Sequence, residues 1–294
     1  MTQVLERCYH DEGYFMAHGG FRLFEQIWRA ENQRGLVLIV HGYAEHSSRY
    51  HAAAAHFNNS GLSVYSFDLR GHGRSQGARS CIHSFDEYLD DLKIVFCRVR
   101  KRWGRAPLFL LGHSMGGLIA PLYLLREDPK LDGLILSAPL IQLGRDYPSV
   151  PDRIIFALGK FLPKFPTARL KTASLSHDPG VVEQYRNDAM VYHGRTPART
   201  AAEMTRAIRV IRLEMKKIEC PLMILHGDED SITDIRGSRE LFSCAGSPDK
   251  SLKVYDGLYH ELLHEPGKER ILDEISGWIN KRLQSSSCQN NSLG

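Results

Sequence analysis

The sequence predicts an α/β fold with a mostly parallel central sheet. Short, continuous apolar runs recur at residues 36–40, 108–111 and 133–137. Strands this apolar are buried on both faces, as is usual in a parallel sheet. Helix-like segments at residues 50–59 and 85–102 separate these runs. This alternation is typical of a doubly wound sheet, in which chemistry gathers at the carboxyl ends of the strands.

The remaining elements of the sheet follow in order along the chain. Two strands, at residues 12–17 and 22–29, are expected before the first parallel strand, and another at residues 62–67. The last two strands are expected at residues 220–225 and 252–255. Helices are predicted between and after them; their ranges are 203–217, 234–245 and 269–283.

A serine follows the apolar run 108–111, in the pattern Gly112-x-Ser114-x-Gly116. On a glycine-bearing loop this pattern can arise by chance. Here a strand precedes it and a helix pattern follows it to about residue 126, which is the context of a nucleophile elbow. The glycines let strand and helix approach closely, and the turn exposes the Ser114 hydroxyl at a helix N-terminus.

The alternation of strands and helices stops between residues 141 and 200. This segment contains six prolines, short helix-like pieces and no strand run. We therefore predict a lid of residues 141–200 inserted into a core domain of residues 1–140 and 201–294. Residues 141–217 hold fourteen Lys and Arg against seven Asp and Glu, so the basic excess of the chain lies there.

One piece of the lid has a helical pattern. Ile154, Leu158 and Phe161 share one face, with Arg153 and Lys160 beside it. One interpretation is a lid helix packed on the core domain. The other is an apolar lip with a basic flank that makes transient contact with membranes or lipid aggregates.

A serine nucleophile needs a histidine base, and the base needs an orienting acid. In this fold the acid and the base follow the two late strands in that order. Asp230 is the predicted acid because it follows the tight turn after residues 220–225, with Asp228 as the alternative. Asp234 is predicted to cap the next helix. His260, directly after the last strand, is the predicted base.

The tetrahedral intermediate of acyl transfer also needs two N–H donors. We expect them to be the backbone amides of Met115, which follows the nucleophile, and of Tyr43, in the loop after residues 36–40. His264, four residues beyond the predicted base, is expected to be structural or to line the pocket.

The composition, the lengths of the apolar runs and the cysteine spacing exclude several classes of protein. A content of 43% hydrophobic and 24% charged residues is ordinary for a soluble globular chain of 294 residues. No apolar run approaches the length of a membrane span, residues 1–7 lack the features of a signal peptide, and the six cysteines lack metal-ligand spacing. We therefore expect a cytoplasmic protein, with no metal and no nucleic-acid partner.

Three motifs identify a family. The stretch from His41 to Tyr50, HGYAEHSSRY, resembles the H-G-x-x-E-H-S-x-R-Y signature of the monoacylglycerol lipase and lysophospholipase group of α/β-hydrolases. Residues 68–75, DLRGHGRS, match its D-x-R-G-H-G-x-S loop, and residues 112–117, GHSMGG, match its elbow. The resemblance covers roughly residues 12–283 and is weak only in the lid.

This resemblance implies an α/β-hydrolase fold and a serine hydrolase that needs no cofactor and cleaves esters of a single acyl chain. It implies a triad of Ser114, Asp230 and His260, with Tyr43 and Met115 as oxyanion donors. The residues that it implies for substrate binding or for bracing the oxyanion loop are Gly42, Glu45, Arg49 and His113.

Monoacylglycerols, small lipid esters, are the first candidate substrate. The basic lid leaves lysophospholipids as an alternative, and a general carboxylesterase or a peptidase of the same fold would share the mechanism. A non-catalytic binding protein with this fold is a remote alternative, because such proteins usually lose a triad member. Acyl-chain length and oligomeric state stay open.

Overall fold

The computed structural model describes residues 9–291, with side chains for residues 10–284. An eight-stranded sheet in the order β1-β2-β4-β3-β5-β6-β7-β8 forms its centre. β1 and β2 are antiparallel to their neighbours, and all later pairings are parallel. The strands are β1 (Tyr9–Met16), β2 (Arg22–Arg29), β3 (Gly35–Val40), β4 (Leu62–Phe67), β5 (Leu108–His113), β6 (Gly133–Ser137), β7 (Leu222–Gly227) and β8 (Lys250–Tyr255).

Helices cover both faces of the sheet, as the apolar strands require. They are α1 (His51–Asn59), α2 (Asp86–Trp103), α3 (Gly116–Glu127), α4 (Asp152–Phe161), α5 (Pro179–Asn187), α6 (Ala198–Glu214), α7 (Ile235–Cys244) and α8 (Lys268–Asn291). Leu36 and Leu38 of β3 point into the core under α2 and α3, whereas Val37 and Ile39 point into the core under α1 and α8. The prediction of an α/β-hydrolase sheet buried on both faces is confirmed.

Several predicted boundaries differ from the structure. β7 continues through His226 and Gly227, because both still pair with β8 although they read as loop residues. α6 begins at Ala198 and not at residue 203, directly after Pro197, so it starts inside the segment predicted as the lid. α4 packs chiefly on this helix.

The packing of α4 leaves the predicted apolar stripe largely in solvent. Gly159 is where the two helices meet, because a Cβ there would lie 2.6 Å from the Cβ of Ala202. Phe156 is held between two arginines of α6. Ile154 and Phe161 are 44% and 72% exposed. α4 therefore packs on α6 through the face that bears Phe156 and Gly159, and not through Ile154 and Phe161.

Candidate active site

The turn between β5 and α3 is strained at Ser114. The residue has φ = 53°, a left-handed conformation that is costly for a side chain with a Cβ. The turn is closed by glycines: a Cβ on Gly112 would lie 2.3 Å from the Gly116 carbonyl oxygen, and a Cβ on Gly116 would lie 2.0 Å from that of Val40. Only glycine allows this approach of strand and helix.

Backbone hydrogen bonds hold the serine in place from the neighbouring strand. The amide of Ser114 donates to the carbonyl of Ser137 at the end of β6 (3.0 Å), and the Ser114 carbonyl accepts from the amide of Leu140 (3.0 Å). The side chain is buried, 8% exposed, and lines a cavity. The strain at Ser114 is therefore maintained by the sheet.

Asp230 and His260 meet across the loops after β7 and β8. His260 Nδ1 lies 2.7 Å from Asp230 Oδ2. The other carboxylate oxygen accepts from the amides of Ile232 (2.8 Å) and Thr233 (3.0 Å), and the Thr233 hydroxyl donates to Oδ2 (2.8 Å). These donors fix the orientation of the carboxylate, which in turn fixes the tautomer with a proton on His260 Nδ1 and leaves Nε2 free to act as a base.

The electrostatics agree with this arrangement. Burial alone would raise the pKa of Asp230, but the imidazole of His260 and the hydrogen bonds of His226 and His260 lower it well below its usual value. Burial would lower the pKa of His260, but the charge and hydrogen bond of Asp230 outweigh it and raise that pKa above 6.5. His260 is thus a stronger base than a free histidine.

The other candidate acids and the second histidine have different partners. Asp228 accepts a hydrogen bond from the amide of Gly257 (2.7 Å). Asp234 caps α7 through the amide of Arg236 (2.9 Å), as predicted. His264 Nε2 lies 2.9 Å from the carbonyl oxygen of Arg49, which makes it structural.

The two amides predicted as oxyanion donors lie in the neighbouring loops. Met115 stands at the N-terminus of α3, and Tyr43 follows β3. Within residues 10–284, neither amide donates to a protein acceptor. Both are therefore available to a ligand, and the Tyr43 ring lines the same cavity as Ser114.

A buried ion-pair network supports the loop that contains Tyr43. Glu45 accepts hydrogen bonds from the amide of Gly42 (2.6 Å) and the hydroxyl of Tyr50 (2.9 Å). Arg49 binds Glu45 (3.0 Å) and makes two bonds to Glu261 (2.5 and 2.7 Å). Burial would raise the pKa of Glu45, but Arg49 lowers it well below its usual value. Gly42, Glu45 and Arg49 thus brace the loop that contains Tyr43.

His113 lies between the elbow and the base. Its Nδ1 is 3.1 Å from the carbonyl oxygen of Ser137, and its ring centroid is 4.9 Å from that of His260. Burial, together with the neighbouring His260, lowers the pKa of His113 to about 4. The ring is therefore neutral, Nδ1–H donates to Ser137, and Nε2 is an acceptor.

A cavity of about 830 Å³ opens onto these groups. Ser114, His113 and His260 line it. Most of its remaining wall is apolar, formed by the core, the lid and α6: Leu140, Leu143, Tyr147, Val150, Ile155, Leu170, Leu175, Met204, Ile208 and Ile232. The volume is in the range of pockets that enclose a small organic ligand.

The family described as "Serine aminopeptidase, S33" matches residues 31–267. A monoacylglycerol lipase from Mycolicibacterium smegmatis is 36% identical over 92% of this chain and 98% of its own. A monoglyceride lipase from Rattus norvegicus is 30% identical over 94% of this chain and 92% of its own. The solved structure of Paleococcus ferrophilus monoacylglycerol lipase superimposes with a TM-score of 0.80 at 30% identity and covers 88% of this chain and 99% of that one.

The chain belongs to the monoacylglycerol lipase group of the α/β-hydrolases. The family resemblance found in three short motifs therefore extends over nearly the whole chain. No helix of residues 9–291 is both long enough and apolar enough to cross a bilayer. No group of three or more His, Cys, Asp and Glu side chains at residues 10–284 is placed to hold a metal ion.

Sequence reasoning missed two residues of this hydrolase site. Thr233 ties the acid to its loop through both its amide and its hydroxyl. Glu261 anchors Arg49, and its signal in the sequence is only its position directly after the predicted base. The contact between Arg49 and Glu261 joins loops that are 212 residues apart, so periodicity and spacing could not identify it. Thr233 lies in the same loop as Asp230, but a threonine three residues after an acid has no distinctive sequence signal.

Proposed function

We propose that this enzyme hydrolyses monoacylglycerols to glycerol and a fatty acid, through an acyl-enzyme on Ser114. The observation that carries this proposal is the cavity, in which a group of aliphatic and aromatic side chains lies beside Ser114, His113 and His260. A single acyl chain fits against these apolar side chains, and its ester would lie at Ser114. The relatives named as monoacylglycerol or monoglyceride lipases support the same substrate.

The chemistry needs only side chains and amides of the chain. The Ser114 Oγ attacks the acyl carbonyl while His260 Nε2 accepts the hydroxyl proton. The amides of Tyr43 and Met115 stabilise the resulting oxyanion. The bond to glycerol breaks as His260 returns the proton to the leaving oxygen. Water then attacks the acyl-enzyme and gives a proton to His260. The fatty acid leaves as His260 returns that proton to the Ser114 oxygen.

The charges around the cavity favour a neutral head group. Each lining arginine has a carboxylate partner: Arg209 pairs with Asp152, Arg212 with Glu240 (2.8 Å) and Arg236 with Asp234 (2.6 Å). A phosphate would have to compete with these carboxylates, which weakens the lysophospholipase alternative that the basic lid suggested.

The acidic residues of the wall are paired in the same way. Glu45 and Glu261 both bind Arg49, and Asp152 binds Arg209. A peptidase that recognises a free amino terminus needs a carboxylate available to bind it, and these carboxylates already hold a guanidinium. A neutral ester is therefore the better fit.

The test compares fatty-acid release from a 1-monoacylglycerol and from the lysophosphatidylcholine of the same acyl chain, with Ser114→Ala as the blank. We expect a rate at least about tenfold higher on the glyceride, a difference of about 1.4 kcal/mol in transition-state stabilisation. A higher rate on the lysophosphatidylcholine would show that lysophospholipids are the preferred substrates. Cleavage of short aryl esters alone would leave only a general carboxylesterase.

We also propose that the enzyme works in the cytoplasm and approaches lipid aggregates through the lid. The lid surface offers Ile154, Phe161 and Leu162, which are at least 44% exposed, beside Arg153 and Lys160. An apolar lip with basic neighbours suits an anionic lipid surface. The free thiols of the described cysteines, Cys81, Cys97, Cys220 and Cys244, suit a reducing compartment.

The matched pair Phe161→Ala and Leu213→Ala tests the lid contact. Both side chains are more than 70% exposed, but Phe161 lies on the apolar lip and Leu213 lies on α6. We expect Phe161→Ala to reduce sedimentation with anionic vesicles while leaving the hydrolysis of a dispersed, short-chain ester unchanged. Equal sedimentation of Phe161→Ala and wild type would refute the contact.

A further inference from the structure

The oxyanion loop, residues 42–46, is held in a costly conformation. Ala44 in its middle has φ = 67°, the left-handed region that favours glycine. The amide of the preceding Tyr43 has no protein acceptor within residues 10–284. A strained loop that aims an unpaired N–H into a cavity needs contacts that prevent it from relaxing.

One set of contacts comes from the core domain and fixes the start of the loop. The Gly42 amide donates to Glu45, which Arg49 and Tyr50 hold in turn. These bonds do not reach the carbonyl of Ala44 or the side chain of His46. The second half of the loop is therefore restrained by other groups.

Those groups belong to the lid, in the short segment after α5. The amide of Tyr192 donates to the carbonyl oxygen of Ala44 (2.8 Å). His46 Nε2 lies 2.8 Å from Asp188 Oδ2, and His46 is only 2% exposed. The lid thus contacts the oxyanion loop directly before and directly after Glu45.

Asp188 organises both of these contacts. Its second oxygen, Oδ1, accepts from the amide of Met190 (2.8 Å), which shapes the turn that presents the Tyr192 amide. Burial would raise the pKa of Asp188, but its hydrogen bonds with His46 and Met190 lower that pKa below the usual range. The residue is therefore a carboxylate at neutral pH, able to accept both hydrogen bonds at once.

We propose that Asp188 is a positioning residue of the active site. It docks lid residues 188–192 on the oxyanion loop and thereby keeps the Tyr43 amide directed at the position of the oxyanion. The lid then does more than cover the acyl chain, because its docking completes the machinery that stabilises the transition state. This inference rests on the proposed function, in which that amide acts as an oxyanion donor.

The test measures kcat and KM for a 1-monoacylglycerol with wild type, Asp188→Ala, Asp188→Asn and Glu183→Ala. Glu183 is the matched control, an exposed lid carboxylate on α5. Because oxyanion donors act in the transition state, we expect Asp188→Ala to lower kcat at least about tenfold and to change KM by less than about twofold. The oxygen of Asp188→Asn can still accept from the Met190 amide, and its NH₂ group can donate to His46 Nε2 in the other tautomer of that histidine. We therefore expect Asp188→Asn to keep kcat within about threefold of wild type.

The labelling of Ser114 by a fluorophosphonate gives a second readout, because the phosphoryl oxygen needs the same donors. The rate should fall in Asp188→Ala by a factor similar to that in kcat. Melting temperatures show whether each variant is folded. Should Asp188→Ala not fold, His46→Ala removes the same contact from the other side and should give the same loss of kcat.

Each other outcome decides against the proposal. Equal kcat for Asp188→Ala and Glu183→Ala would overturn it, and so would a rise in KM with kcat unchanged, which would assign the segment to substrate binding. An Asp188→Asn enzyme as slow as Asp188→Ala would exclude the hydrogen bond as the cause. If wild type itself releases no more fatty acid than Ser114→Ala, it is the proposed function that fails.

Discussion

Replacing Asp230 by asparagine changes one oxygen of the carboxylate to an NH₂ group and leaves the volume the same. The single remaining oxygen is held by the amides of Ile232 and Thr233, which now donate to Oδ1 at 2.8 and 3.0 Å. The NH₂ group then occupies the Oδ2 position, 2.7 Å from His260 Nδ1. A donor facing a donor forces His260 into the other tautomer.

In that tautomer Nε2 carries the proton and cannot accept one from Ser114. The equivalent substitution in a serine protease lowers kcat about 10⁴-fold. The same factor, about 5.4 kcal/mol of transition-state stabilisation, is expected here. The measurement is the initial rate of fatty-acid release from a 1-monoacylglycerol at neutral pH, with near-identical far-UV circular dichroism showing that the variant is folded.

Asp228→Asn is the matched control for this substitution. Asp228 is exposed and accepts only from the amide of Gly257 in the described structure, so its asparagine can keep that bond. Its kcat should stay within about twofold of wild type. A folded Asp230→Asn enzyme with more than a tenth of wild-type activity, or an inactive Asp228→Asn, would refute the assignment of the acid.

Three further predictions follow from the same geometry. Because Asp230 raises the pKa of His260, kcat/KM should fall as the pH decreases, with a midpoint above 6.5. A midpoint near 4, the pKa of His113, would contradict the assignment of His260 as the base. Arg49→Leu leaves the buried carboxylates of Glu45 and Glu261 without a cation, so urea denaturation should show a loss of about 3–5 kcal/mol in the free energy of unfolding. A loss below about 1 kcal/mol would show that the ion-pair network does not stabilise the fold. Gly116→Ala should lower the free energy of unfolding by at least about 4 kcal/mol, because its Cβ would lie 2.0 Å from a backbone oxygen. Gly277→Ala, on the open face of α8, should raise the free energy of unfolding by up to about 1 kcal/mol. Equal melting temperatures of the two variants would contradict the packing described at the elbow.

The sequence predicted those parts of the fold that depend on local pattern. The buried strands β3, β5 and β6 are continuous apolar runs, and the elbow between β5 and α3 carries its own glycines. The loops after β7 and β8 placed Asp230 and His260 because chain order and strand ends determine where those loops meet. The place of a residue in the loop after a parallel strand can therefore be predicted from a single sequence.

Contacts between distant loops could not be predicted in this way. Glu261 lies 212 residues from Arg49, and Asp188 lies 142 residues from His46. The side of α4 that docks could not be predicted either, because its apolar stripe fitted both a packed helix and an exposed lip. The small Gly159 and the arginine-flanked Phe156 decide which side docks on α6. Such pairings depend on how the lid folds over the core, which no local spacing encodes.

We propose Ser114 as the nucleophile for monoacylglycerol hydrolysis, and the roles of Asp230, His260 and the two amides all depend on it. The measurement that tests it most directly is the kcat for fatty-acid release from a 1-monoacylglycerol by wild type and by Ser114→Ala, with the acylated peptide identified by mass spectrometry after an acid quench. We expect an acyl group on Ser114 in wild type and a fall in kcat of about 10⁴-fold or more in the variant. A Ser114→Ala enzyme that keeps a tenth of the wild-type rate, or an acyl group on another residue, would contradict it.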